Sequence, residues 1–296
     1  MWLIFAILSN TLFGLTNIFD KFFNTKKIKS AYSFAFLLNF AFFFIYLTSL
    51  FFVKDKLVFG RVIVQASISG VFWFLMWIFL FKAMQKGEAS RVSAIFFTQP
   101  VFSALIAVLF LNEKLSLVDW LGILMIVVGA FMVTWERKSR EKIVNIAYIY
   151  ALIAAVLSST GNAVAKDAMV TMSSVALNAI SFFATVPLYF LLLINKDVLR
   201  EVRANIKDGK TMLLFFIRSI IGYVGLLSLL VALKIGSLSI VSAISGTQPL
   251  FVLSMSILFT IFAPKVVHES VDSKTISKKL LAIVLIVAGA IFISFF

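Results

Sequence analysis

The chain has 296 residues, of which 62% are hydrophobic, 15% aromatic and 14% charged, with a mean hydropathy of +1.07. That excludes a water-soluble domain, which could not cover so much apolar surface, and the absence of Cys excludes a disulfide framework and thiolate chemistry. The 27 Lys and Arg outnumber the 13 Asp and Glu, but they stand between apolar runs, which points to membrane orientation rather than to nucleic acid.

Ten apolar segments follow in chain order, each close to the ~20 residues that cross a bilayer core. The first five are roughly 2–22, 32–53, 62–84, 91–111 and 117–135. The second five are roughly 145–166, 175–195, 211–234, 239–262 and 279–296. Connections between them are short. No segment alternates with period two, and backbone polar groups in lipid must be satisfied within a segment, so each is expected to be a helix. Met1-Trp2-Leu3 lacks a basic run, and a cleavable signal peptide is not expected.

The halves repeat. Val92–Phe102 (VSAIFFTQPVF) and Val241–Phe251 (VSAISGTQPLF) are identical at eight of eleven positions, at an offset of 149. Asn17 and Lys21 match Asn162 and Lys166 at an offset of 145, and Leu121–Val133 matches Leu281–Ile293 at an offset of 160. The drift places about eleven extra residues in the polar stretch Ala263–Lys278, read as an exposed loop. Five spans per unit is an odd number, so consecutive units enter the membrane from opposite faces. The expected fold is an all-α polytopic membrane protein: ten transmembrane helices as a 5+5 inverted repeat, units 1–140 and 141–296, around a central cavity.

Loop charge sets the expected orientation. Connections 1–2, 3–4, 5–6, 7–8 and 9–10 carry 20 Lys and Arg, and the opposite side carries six. The richer side is expected to be cytoplasmic, with both termini outside.

These features resemble a known family. Two five-span halves, Pro100 in span 4, Asn112-Glu113-Lys114-Leu115 after it, and Gly122 through Gly129-Ala130 in span 5 look like the EamA-type domain of the drug/metabolite transporter superfamily. The resemblance covers nearly the whole chain. It implies alternating-access transport of small metabolites, often export of amino acids or similar solutes, through a cavity lined by spans 1, 3, 4, 6, 8 and 9. Two points depart from it: Ile261-Phe262-Ala263 stands where the first half has Asn112-Glu113-Lys114, and the family habit is cytoplasmic termini.

Several side chains are candidates for a substrate site. Pro100 and Pro249 lie about nine residues into spans 4 and 9 and are expected to kink or open them. Gln99 and Gln248 place an amide beside each proline, either at a cavity or in interhelical packing. Asn10 and Asn17 lie two turns apart on span 1, and Asn162 is the counterpart of Asn17 on span 6. Polar faces in lipid should point to a cavity or to a partner helix. Ser69, Trp73 and Trp77 share a face of span 3, as a wall able to stack on a substrate amine or as bulky packing.

Arg218 falls about seven residues into span 8, with Gly222 and Gly225 on its face and Tyr223 nearby. Its repeat counterpart is Ser69. It either binds an anionic group through its planar fork or snorkels to the interface. Asp20-Lys21, Lys166-Asp167, Lys82 and Lys234 sit near span ends and are expected to snorkel.

The chemistry inventory disfavours an enzyme. The single His, His268, lies in the inserted loop, Cys is absent, and no carboxylate stands mid-span. No Gly-rich phosphate loop is present. The expected function is a secondary transporter, an exporter or exchanger, of a small polar metabolite, foremost an amino-acid-like solute. It is expected in the plasma membrane without cofactor or metal. Its partners are the small-molecule substrate and the lipid bilayer, not nucleic acid, with a coupling ion and a homodimer left open. The alternative is a lipid-carrier flippase or an accessory membrane subunit.

Overall fold

A computed structural model describes residues 1–53, 60–86, 89–134, 146–262 and 273–295; residues 263–272 of the inserted stretch, His268 among them, lie outside these, while residues 273–278, expected as loop, open a helix. All regular structure among the described residues is helical. In chain order the helices are α1 (Trp2–Lys26), α2 (Ala31–Ser49), α3 (Arg61–Lys86), α4 (Ala89–Phe96), α5 (Gln99–Phe110), α6 (Leu117–Thr134) and α7 (Ile146–Ala168). Then come α8 (Ser174–Leu191), α9 (Lys196–Lys207), α10 (Gly209–Ile235), α11 (Leu238–Ser245), α12 (Gln248–Phe262) and α13 (Ser273–Phe295).

Among the described residues, seven helical segments are long and apolar enough to cross a membrane: Trp2–Asp20, Ala31–Ser49, Arg61–Lys86, Val92–Phe110, Ile146–Ala168, Ser174–Ile194 and Gly209–Ile235. Leu117–Met132, Leu238–Val252 and Leu281–Ile293 are apolar and shorter. Among the described residues seven of the expected spans are thus helical at crossing length, and spans 91–111 and 239–262 are the broken pairs α4/α5 and α11/α12.

Helix starts carry polar caps. Ser30, Ser173, Asn195, Asp208 and Ser237 each accept a backbone N–H from the first turn of the following helix. α9 was not expected, because its mean hydropathy is too low for a span. Its Val198 and Val202, one turn apart, are buried while Arg200 and Arg203 are exposed. Glu201 on its inner side accepts the Lys29 N–H at 2.6 Å and the Ser30 N–H at 3.1 Å, pinning the start of α2.

Asp208, capping α10 outside the membrane, is also bonded by the Thr211 hydroxyl at 2.6 Å and by Lys27 at 3.2 Å. These bonds, led by Thr211, pull its carboxyl from 3.8 down to about 2. A depressed carboxylate pKa stabilises the fold above the unfolded value, and the effect is lost as pH falls through the folded one. The Tm gap between wild type and Asp208→Ala should thus be constant above pH 4 and shrink between 3.8 and about 2.

The packing pairs position the interior. α1 packs along α10 and α3 along α7; α1 also meets α12, and α7 meets α5. α2 faces α8 and α6 faces α13. Glycines mark the closest crossings. Gly122 and Gly129 on α6 abut the Gly289 and Ala282 carbonyls of α13. A Cβ on Gly70 would overlap the Ser181 carbonyl of α8, and Ser181 Oγ donates to the Ala66 carbonyl at 2.7 Å across the same crossing. Because backbone cannot yield there, Gly70→Val should destabilise by about 3 kcal/mol or more. Its purified protein should lose a monodisperse peak and unfold at lower temperature, while Ser69→Ala should cost only about 1 kcal/mol.

Candidate functional site

Exposed apolar stripes separate an outer from an inner side on the central helices. On α3 the stripe is Val64, Ile68 and Val71; on α1 it is Ile4, Ile7 and Leu8; on α7 it is Ile149, Leu152 and Val156. Trp77, Asn17 and Asn162 each come thirteen residues after the first member of their stripe, about three and a half turns, so all three sit on the inner sides. Around Trp77 the inner side of α3 is buried at Ala66, Ser69, Gly70, Met76 and Leu80, yet Trp77 keeps 38% of its surface. Asn17 is also half-buried there, its amide donating to the Phe13 carbonyl of its own helix at 2.8 Å.

Trp73 and Asn162 are brought together: the indole N–H donates to Asn162 Oδ1 at 3.0 Å. Gly161 makes room for the ring, since a Cβ there would stand 2.9 Å from the indole nitrogen.

Of the two outcomes expected at Pro100 and Pro249, a kink or an opening, the Thr-Gln-Pro copies take the second: both are breaks rather than bends. α4 stops at Phe96 and α5 starts at Gln99; α11 stops at Ser245 and α12 starts at Gln248. Each proline then stands in a first helical turn, where its missing N–H costs nothing. Thr98 and Thr247 close the preceding helices, each hydroxyl donating to a carbonyl three residues back at 2.7 Å.

Polar side chains stitch both breaks to their neighbours. At the first, Gln99 donates to Ser103 Oγ at 3.3 Å, and Ser159 on α7 donates to the Gln99 carbonyl at 3.0 Å. At the second, Asn10 donates to the Ile244 carbonyl at 2.7 Å and to Thr247 Oγ1 at 2.9 Å. Asn10 is fully buried, so it braces the break instead of presenting its amide to a solute. Gln99 and Gln248 are half-buried at the helix starts. Tyr223 is drawn away from this group: its ring meets Tyr46 edge-on at 5.2 Å, and Tyr46 stacks on Phe182 of α8 at 4.1 Å.

Arg218 does not snorkel. Its Nε and Nη2 donate to Asp20 Oδ1 and Oδ2 at 2.8 and 2.7 Å, a two-point ion pair between α10 and α1. Gly222, one turn on, makes room: a Cβ there would stand 2.9 Å from Nη1. Asp20 therefore departs from the expectation of a snorkelling end residue. The signal was available, since an intramembrane cation calls for a partner and span 1 holds a carboxylate.

Lys166 departs likewise. It turns inward onto the Leu233 carbonyl at 3.0 Å and the Gly236 carbonyl, closing the end of α10, and lies 3.8 Å from Glu113. Glu113 in turn accepts the Leu238 and Ser239 N–H groups at 2.6 and 3.1 Å and the Ser239 hydroxyl at 2.7 Å, capping α11. Asn112 aims it: at φ 55° it holds the left-handed conformation that Asn tolerates. Lys234 donates to the Met172 carbonyl at 2.8 Å.

Comparison with known proteins agrees with this architecture. The EamA-like transporter family matches residues 1–135 and 145–295. An uncharacterized transporter in the cobO 3′ region of Sinorhizobium sp is 37% identical over 73 residues, 25% of this chain and 52% of that protein. The match thus spans about half the length of that relative. One solved crystal structure, described simply as that of a protein, superposes with a TM-score of 0.71 over 99% of this chain and 96% of its own at 15% identity, a likeness of fold. With a family match in each half and several helices able to span a bilayer, this chain is a multi-pass integral membrane protein and belongs to the EamA-like transporter family.

Proposed function

We propose that the protein is a secondary transporter, an exporter or exchanger, that moves a small polar, amino-acid-like solute by alternating access. The observation that carries this reading is Trp77, exposed on the inner side of α3, with Trp73 and Asn162 bonded one turn away. An indole face attracts a substrate ammonium group. Asn17, Gln99 and Gln248, each half-buried, offer amides to its polar remainder, and Asn162, itself buried, holds the Trp73 ring. Pockets of this mixed aromatic and amide lining suit small polar ligands.

Ten spans in an inverted 5+5 repeat around a central cavity form the frame of the proposal. The packing pairs support it, because the repeat offsets exchange them: α1 on α10 becomes α7 on α3, and α1 on α12 becomes α7 on α5. The Gly122–Gly289 and Gly129–Ala282 contacts exchange in the same way at the offset of 160. Such a frame lets one unit rock against the other about a fixed site. The side rich in Lys and Arg, which includes α9, is cytoplasmic in this reading.

A thermal-shift screen of purified protein against amino acids, nucleosides, sugars and sugar phosphates tests the solute class. A ligand of the folded state raises Tm. Amino acids should do so and sugars should not. A rise with sugar phosphates alone would replace the proposed class.

A further inference from the structure

We propose that the Asp20–Arg218 pair is a masked subsite for the carboxylate of the transported solute, and that exchange of one carboxylate for the other on Arg218 unlocks the α1–α10 contact. The inference rests on the transport reading above.

The geometry is that of a ligand already seated. Both oxygens of Asp20 lie on the Arg218 fork at 2.8 and 2.7 Å, the arrangement by which a guanidinium grips a free carboxylate. The guanidinium is the inaccessible partner. Its side chain is 7% exposed, against 23% for that of Asp20, so the pair is approached from the carboxylate side. Asp20 lies three residues past Asn17 on α1, and side chains so spaced are neighbours on a helix surface. A solute held at Asn17 is thereby within reach of the fork.

An aromatic plug adjoins the pair. Phe23 and Phe215, each three residues from a member of it, stack at 4.0 Å with a 16° interplanar angle. Phe34 of α2 lies 5.7 Å from Phe215 and 6.4 Å from Phe81 of α3. Phe81 in turn lies 5.5 Å from Trp77, so the plug runs from the ion pair to the exposed inner ring.

The repeat shows what is special about this contact. At the sequence offsets, Asp20 and Phe23 correspond to Ala165 and Ala168, and Phe215 and Arg218 correspond to Ala66 and Ser69. Those four small residues are all buried on the paired helices α7 and α3, with Ala66 and Ser69 also bonded to Ser181 of α8. Small side chains let helices approach closely and stay. Around Asp20 the α1–α10 contact rests instead on the Phe23–Phe215 stack and on the ion pairs Asp20–Arg218 and Lys27–Asp208, and an end held by rings and charges can part. Parting without a replacement would strand a buried guanidinium, which is strongly unfavourable. A solute carboxylate removes that obstacle, so the contact stays shut until a solute arrives.

The natural absence of Cys allows a direct test. A single Phe34→Cys places one thiol in the plug, and its rate of maleimide labelling in purified protein reports opening. The probes are a mixture of neutral L-amino acids and the matching mixture of amino amides. The amino acids should raise the rate at least about fivefold and the amides should leave it unchanged. Adding Asp20→Asn should raise it about tenfold with no probe present, while Asp20→Glu should stay near the parent rate. Equal responses to both mixtures, or none, overturn the proposal. So does an Asp20→Asn rate equal to the parent's. If Asp20→Asn fails to fold, the comparison of mixtures in the Phe34→Cys parent decides alone. Amino-acid counterflow by the wild type alongside an unresponsive thiol would sink this inference and leave the transport reading standing.

Discussion

Arg218→Lys is expected to lower transport by about one to two decades, with normal expression. Lysine keeps the charge but not the fork, so it cannot hold both Asp20 oxygens at once. The loss of one charge-assisted hydrogen bond is worth about 1.5–3 kcal/mol, which sets that range. Arg218→Ala should do more, because it removes the counter-charge of a largely buried Asp20. Breaking a buried pair in this way costs about 3–5 kcal/mol of stability. Uptake into proteoliposomes and thermal unfolding of the same preparations separate the two effects. Near-normal transport by Arg218→Lys would remove the pair from the transport cycle.

Glu113→Ala should be the other severe substitution, and its effect should be on stability first. It strips the acceptor from two backbone N–H groups and one hydroxyl at the start of α11 and leaves Lys166 without its carboxylate. Buried donors left unpaired cost about 1–3 kcal/mol each before relaxation, so a net loss of about 3 kcal/mol is expected. Glu113→Gln keeps an acceptor oxygen and loses the charge, and should fall between wild type and Ala. Tm measured in one detergent orders the three proteins. A Glu113→Ala variant as stable as wild type would mean that α11 is held by other contacts.

The same residue shows where sequence reading ends. Asn112-Glu113 was legible as a motif, but its partner at Ser239 is 126 residues away and nothing in local spacing joins them. The helices themselves were plain, because lipid forces apolar segments of fixed length. The Thr-Gln-Pro repeat located both mid-span breaks. Its local chemistry did not say that Thr98 and Thr247 would end one helix so that Pro100 and Pro249 could begin another.

Inner sides were legible only in part: the polar faces of Asn10, Asn17 and Asn162 pointed inward, without separating a cavity from a partner helix. Elsewhere both sides are apolar, so hydropathy does not mark which one faces the bundle. The exposed stripes put Trp77 and Asn17 on the inner sides, and two hydrogen bonds lock Asn10 against the second break. α9 was missed because a short charged helix carries no span signal, and its buried edge is just Val198 and Val202.

The most direct measurement is counterflow in proteoliposomes. Vesicles carrying the purified protein and preloaded with an unlabelled neutral amino-acid mixture should transiently accumulate the labelled mixture from outside, and empty vesicles should not. Trp77→Ala should reduce the accumulation about tenfold if the indole supplies a desolvated cation–π contact and some packing. Absence of counterflow with amino acids and with other small polar solutes, in vesicles where the same protein scrambles lipid, would contradict a solute transporter and indicate a lipid carrier.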